Sequence, residues 1–406
     1  MDLIYLCCLL ILSLSDVCRA LDNGLALTPP MGWLSWERFA CTVDCVVYPD
    51  ACIGEKLILS QAHALIEKGL DKIGYDYVII DDCWLADTRD NVTGELVPNP
   101  ERFPNGMSYL VNVIHKLGVK FGIYGDMGSK TCGGYPGSWG HEQLDADTFA
   151  KWGVDYVKLD GCNIKLSDIA SSYQLMGRSL NATKRHMVYS CSWPFYVWNA
   201  GLKINYTLLM DTCNLWRNYF DIQDSWSSVK RIIMFYAHNQ DWMAALSGPG
   251  HWNDPDMILV GDFSLSKSQS EVQFGMWAMF SSPLILSVDM NNLADYALQI
   301  ISNRDVIAVD QDSKGQQARM VYSSPDELWF VFKKELSDSS FAVAVLYLQD
   351  FANPHKYELL FNLINKTHST FSVKDLFDGS VGNYTVGMSL FVNPNGIKLL
   401  KLTPLK

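Results

Sequence analysis

Two short stretches of this sequence place acids where they could react. In "YVKLDGCN" (156–163) an apolar run ends on Lys158 and Asp160, two residues apart, just before Gly161. On an extended strand such residues point to the same side, so a cation and a carboxylate would be delivered together. In "CNLWRNYFDIQDSW" (213–226) Arg217 precedes Asp221 by four residues, among Trp216, Tyr219, Phe220 and Trp226. An i,i+4 pair on a helix face is the simple reading of that spacing. The aromatic surroundings favour another, because apolar packing raises a carboxyl pKa toward what a general acid needs. Two carboxylates, one attacking an anomeric carbon or activating water and the other protonating the leaving oxygen, are the minimal machinery for cleaving a glycosidic bond.

The elements that must position them are legible as an alternating rhythm. Short β-rich runs occur at 31–36, 77–82, 120–126, 154–160, 186–192, 207–213, 254–260 and 283–289. Helix-period segments lie between them: Leu57, Ile58, Ala62, Leu65 and Ile66 share one face, as do Leu110, Val111, Ile114 and Leu117 ahead of Gly118. Eight such units predict an α/β chain built on a (β/α)8 TIM barrel. A doubly wound sheet is the alternative, but no GxGxxG follows the first strand.

The C-terminal strand ends of such a barrel face the active site. Here they carry Trp36, Asp81, Asp82, Tyr124, Asp126, Lys158, Asp160, Ser192, Asp211, Asp256 and Asp289. For Asp126 or Asp289 alone a helix N-cap is the better reading, and Lys158 with Asp160 could form a buried structural ion pair. Among 13 tryptophans, Trp33, Trp36 and Trp84 adjoin strand-end carboxylates, where an indole could stack on a sugar's C–H face. Beyond about Gln316 the rhythm changes to short strands at 328–336, 341–350, 356–363, 383–392 and 396–402, separated by polar turns, which predicts an antiparallel β-sandwich. The expected layout is a leader at 1–20, a barrel at 21–312 and a sandwich at 313–406.

Residues 1–20 carry an apolar run from Leu3 to Leu14 that gives way to small and polar residues. The run is too short to span a bilayer and reads as a secretory signal peptide. Three of the 11 cysteines fall within it; the other eight, Cys41, Cys45, Cys52, Cys83, Cys132, Cys162, Cys191 and Cys213, suggest four disulfides in an exported protein. No zinc-type CxxC spacing occurs. Sequons at Asn91, Asn181, Asn205, Asn365 and Asn383 fit passage through the secretory pathway. A net charge of −12 without a basic run argues against nucleic acid as a partner.

The motifs "LDNGLALTPPMGWLSWERF", "IDDCW", "GIYGDMG", "VKLDGC", "SCSWP", "WRNYFDIQDSW" and "GPGHWNDPDM" resemble the α-galactosidase and α-N-acetylgalactosaminidase family, glycoside hydrolase family 27, from Leu21 to about Asp312. The resemblance implies Asp160 as nucleophile and Asp221 as acid/base of a retaining double displacement, with the carboxyls about 5 Å apart. It implies sugar contacts from Trp36, Asp81, Asp82, Tyr124, Cys132, Lys158, Ser192, Phe195, Tyr196, Arg217, Asp256 and Met257. It also implies disulfides Cys41–Cys83, Cys45–Cys52, Cys132–Cys162 and Cys191–Cys213, no metal or organic cofactor, a homodimer, and a lysosomal or secreted enzyme acting on glycoconjugates with a terminal α-galactose-type sugar. Galactose-selective animal members carry a glutamate where this chain has Ser192. Members that accept N-acetylgalactosamine have serine there and alanine three residues on, where this chain has Phe195, so half of that pattern is present. Two other classes remain open on the residues alone. A lectin could keep the aromatics with Asp81 and Asp82 but has no use for both Asp160 and Asp221, and a metal-dependent barrel hydrolase would want strand-end histidines that are absent.

Overall fold

The computed structural model describes residues 23–350 and 353–405; the expected signal peptide lies outside them. Eight parallel strands form one sheet: β1 (Met31–Leu34), β2 (Tyr77–Ile80), β3 (Lys120–Asp126), β4 (Tyr156–Asp160), β5 (Val188–Cys191), β6 (Leu215–Arg217), β7 (Trp252–Asp254) and β8 (Leu284–Leu286). Their spatial order is β7-β6-β5-β4-β3-β2-β1-β8. Ile258 bridges the remaining seam between β7 and β8. Its N–H donates to the Ile285 carbonyl at 2.8 Å, and its own carbonyl accepts from Ser287 N at 3.0 Å. The result is the (β/α)8 barrel.

Strands β1 and β2 are buried along their whole length, as parallel strands covered by helices must be. The helix Glu55–Glu67 buries Leu57, Ile58, Ala62 and Leu65, and Gly106–Lys116 buries Leu110, Val111 and Ile114. Two expected strands are corrected. Residues 207–213 are not the sixth strand: Tyr206–Met210 is helical because the Asn205 side chain caps it by accepting from Leu208 N, and Asp211 ends exposed, off the barrel mouth. The seventh strand begins earlier than expected, at Trp252, and Ile258 contributes only a bridge. In both places the apolar run is too short for its period to separate helix from strand.

The C-terminal region packs a six-stranded antiparallel sheet, β14-β13-β16-β11-β10-β9, against the β12-β15 ribbon. These strands are β9 (Arg319–Ser323), β10 (Trp329–Glu335), β11 (Phe341–Tyr347), β12 (His355–Leu360), β13 (Thr370–Asp375), β14 (Val381–Thr385), β15 (Gly387–Val392) and β16 (Gly396–Pro404). The expected strand at 383–392 is two strands split at Val386, whose φ is +72°, and β9 and β13 were not anticipated. Strand β11 is buried on both faces. Ala342, Ala344 and Leu346 join the barrel's core, while Phe341, Val343, Val345 and Tyr347 join the sandwich's.

Lys334 on β10 pins this interface. It is 1 % exposed, and its ammonium donates to the Ala278 carbonyl, the Ser281 hydroxyl and the Val309 carbonyl at 3.0, 2.7 and 2.5 Å. Two of those acceptors lie in or at the ends of barrel helices Lys267–Met279 and Arg304–Asp310, where a cation offsets the dipole. Burial lowers its pKa to about 8. Lys334→Ala strands buried acceptors and is expected to cost about 3 kcal/mol, measured by urea unfolding; a change below about 0.5 kcal/mol would mean that the interface does not depend on this cation.

Candidate active site

The strand ends of β2 to β6 converge on a cleft lined by Trp36, Asp81, Asp82, Tyr124, Cys132, Lys158, Asp160, Ser192, Phe195, Tyr196, Arg217, Tyr219, Asp221 and Met257. Trp33 and Trp84 are not among these residues. Both are fully buried, their indole N–H groups spent on the Val288 and Tyr124 carbonyls, so Trp36 alone of the three candidates faces the cleft. Asp289 instead accepts from Asn291 N and begins a 3-10 turn. Tyr219 also lines the cleft; its sequence signal is the aromatic cluster around Asp221.

Asp81 and Asp82 follow the end of β2 and are buried. Asp81 accepts from Lys158 Nζ at 2.7 Å and from Asp82 N at 2.8 Å, and Asp82 accepts from Cys83 N at 2.6 Å and Gly133 N at 2.7 Å. Desolvation raises both pKa values against these donors. The ion partner of Lys158 is therefore Asp81, across β3, rather than its neighbour Asp160. Desolvation alone would lower the Lys158 pKa, but Asp81, Asp256 and Asp160 together hold it above normal, so it stays a cation.

Asp160 ends β4. Its Oδ1 accepts from the Tyr196 hydroxyl at 2.7 Å and Gly161 N at 2.8 Å, and its Oδ2 accepts from the Tyr124 hydroxyl at 3.0 Å. Both tyrosines have pKa values raised, first by burial and then by Asp160's own charge, so they remain donors. Asp126, the register partner of Asp160 on β3, is no helix cap. It is buried, accepting from Gly128 N at 2.6 Å and Cys162 N at 3.0 Å, and desolvation followed by Asp160's charge pushes its pKa to about 9. Of two adjacent carboxyls, one is thus kept neutral. The loops after β3 and β4 nearly touch: a Cβ on Gly128 would lie 1.8 Å from the Cys162 carbonyl oxygen, so no larger residue fits. Asp126, Cys132, Asp160 and Cys162 converge within 4.8 Å, but both sulfurs are consumed in one disulfide, leaving no thiolate to ligate a metal.

Arg217 ends β6, and Asp221 lies in the irregular segment beyond it, so their 3.0 Å ion pair spans a loop and not a helix turn. Arg217 also holds Asp256 at 2.8 Å. Asp256 does not line the cleft; it backs Arg217 from a left-handed φ of +82°, a strained conformation for aspartate. The expected rise in the Asp221 pKa is corrected. Its crowded position does raise the value, but 75 % of its side chain meets water, and Arg217, Lys158 and the Arg217 hydrogen bond together leave it below normal.

Disulfides join Cys41–Cys83, Cys45–Cys52, Cys132–Cys162 and Cys191–Cys213. Three of them tie segments that border the cleft. Among the sequon residues, Asn91, Asn181, Asn205 and Asn383 are exposed and Asn365 is half-buried. No helix among the described residues is long and apolar enough to cross a membrane.

Residues 28–312 match the family model described as alpha galactosidase A. The chain is 44% identical over 393 residues to an alpha-N-acetylgalactosaminidase from Gallus gallus, covering 95% of each chain. It is 45% identical over 343 residues to alpha-galactosidase A from Homo sapiens, covering 84% of this chain and 79% of that one. The crystal structure of alpha-galactosidase I from Mortierella vinacea superposes with a TM-score of 0.83 at 31% identity, over 94% of this chain and 98% of that one. A barrel whose mouth gathers these carboxylates, on a chain this similar to those enzymes, belongs to the alpha galactosidase A family, glycoside hydrolase family 27.

Proposed function

We propose that this glycoside hydrolase removes terminal α-linked N-acetylgalactosamine by retaining double displacement, with α-galactose as the second substrate. The observation that carries the proposal is the placing of two differently held carboxylates on one cleft. Asp160, held by three donors, attacks the anomeric carbon. Asp221, open to water at the mouth, protonates the leaving oxygen and then activates water against the glycosyl ester. A bound sugar would strip water from Asp221, and desolvation already acts on this group in the raising direction, so occupancy itself moves it toward an acid's pKa. Asp81 and Asp82 are placed to accept from ring hydroxyls.

The sugar preference rests on Ser192, which borders the cleft where a glutamate would fill the space of an acetamido group. The identities to an alpha-N-acetylgalactosaminidase and an alpha-galactosidase, 44% and 45%, do not separate the two sugars. We further propose the secretory pathway, ending in a lysosome or outside the cell, a mature chain beginning near residue 21, glycans on the exposed sequons, a homodimer, and a barrel–sandwich boundary near residue 312. The disulfides support the first of these.

Asp221→Asn is expected to lose roughly 10²- to 10⁴-fold in kcat/KM on a methyl glycoside and far less on a dinitrophenyl glycoside, whose leaving oxygen needs no proton. Asp160→Asn should silence both. Equal losses for the two leaving groups in Asp221→Asn would remove Asp221 from the acid role. On p-nitrophenyl substrates, α-N-acetylgalactosaminide should be the better, and Ser192→Glu should turn the preference toward α-galactoside by at least about tenfold, the scale of one misfitted group; a wild-type galactose preference refutes the assignment.

Stability should follow the same acids. Burial raises Glu37 to about 7, Asp126 to about 9, Asp254 to about 6, and Asp262 and Asp310 to about 8. Each binds its proton more tightly folded than unfolded, so its stabilisation is complete below about pH 4 and is lost as pH rises through these values. Asp338 and Asp378, lowered to about 2, contribute in the opposite sense and only below about pH 4. His251, lowered by burial, opposes the trend as a single group. The Tm should therefore fall between pH 5 and pH 8, read by scanning calorimetry; a rising Tm would contradict the burial of these carboxyls as acids.

A further inference from the structure

The cleft does not end at the sugar. Asp221 stands at its mouth with 75 % of its side chain exposed, so the group that leaves with the proton departs there, into solvent. Immediately before Asp221 lies Phe220, 47 % exposed and outside the cleft lining. Its ring meets Phe195, which does line the cleft, edge to face at 5.0 Å. Behind it, Tyr219 and Trp198 approach at 5.2 and 6.0 Å, and Phe235 stacks on Tyr219 at 4.5 Å.

These rings give Phe220 a rigid backing, so its exposed position is built and not a loose surface side chain. Phe195 and Phe220 form one continuous aromatic wall running from the cleft outward past the exposed carboxylate. An apolar ring held open to water at such a place loses hydration cost only when something flat covers it.

Resting on the proposed roles of Asp160 and Asp221, we propose that Phe220, with Phe195, forms a binding subsite for the leaving group, selective for one that presents a flat apolar face, such as a second sugar ring or an aryl ring. The wall positions the bond to be cleaved beside Asp221 and leaves recognition of the terminal sugar to the cleft floor.

The test uses the full chain and two aglycones on each sugar: p-nitrophenyl and methyl α-N-acetylgalactosaminides, and the same pair of α-galactosides. In Phe220→Ala the p-nitrophenyl-to-methyl ratio of kcat/KM should fall about fivefold, the scale of one aromatic contact, while inhibition by the free sugars is unchanged. Phe220→Trp should restore the ratio. Equal losses on both aglycones, or weaker inhibition by the free sugars, would show that the ring merely props Phe195 and would overturn the subsite. The ratio is taken within one sugar, so an error in the sugar assignment appears as a difference between sugars and leaves this comparison intact.

Discussion

The ion pair between Lys158 and Asp81, 2.7 Å long and nearly closed to water, sets the terms for the rest of the cleft. It crosses β3 to join the ends of β4 and β2, and it exists only because parallel strands in register bring those ends level. Among the described residues two cations, Lys158 and Arg217, line the cleft against four carboxylates. Every acid there or packed directly behind it must therefore be held by donors, shared with a cation, or kept protonated. Asp82 takes the first course with two backbone N–H groups, Asp221 and Asp256 take the second through Arg217, and Asp126 takes the third. Removing one member of such a set leaves its partner charged and unpaired, which costs more than the pair itself contributes.

Donors can be placed this closely because the loops are held at fixed separations. The Cys132–Cys162 disulfide ties the β3 loop to the residue two beyond Asp160, and Gly128 lets the two backbones approach. Cys41–Cys83 holds the turn in which Asp82 sits, and Cys191–Cys213 links the residue before Ser192 to the segment entering β6. Constraint of this kind limits the freedom of loops that carry few apolar contacts of their own. The acid placed furthest out, Asp221, lies in a segment without such a bridge, and the aromatic rings beside it supply its support.

The outer layers transmit order to this rim indirectly. Strand β11 faces two cores at once, with small Ala342 and Ala344 turned to the barrel and larger Val343 and Val345 to the ribbon. Lys334 adds directional bonds to helix ends on the barrel side. The sandwich is thereby continuous with the barrel core, although none of its described residues lends a side chain to the cleft.

The alternation of short β-rich runs with helix-period segments by itself determined the barrel, because a segment's length, composition and apolar spacing are local properties that it carries alone. It likewise placed Asp81, Asp82, Tyr124, Lys158 and Asp160 at strand ends, where polarity interrupts an apolar run. Short runs defeated it at 207–213 and 254–260, where a side-chain cap and a seam-closing bridge outweighed propensity, and at 383–392, where a backbone turn at Val386 leaves no compositional mark. Only the tertiary structure decided which charges meet. The partner of Lys158 is 77 residues away on another strand, Trp33 and Trp84 turn into the core, and Asp221 stays below its normal pKa because Arg217 and Lys158 together outweigh its burial, a balance that the i,i+4 spacing does not reveal. Electrostatic energy depends on distance and on exclusion of water, and neither is written in the order of residues until the chain has closed on itself.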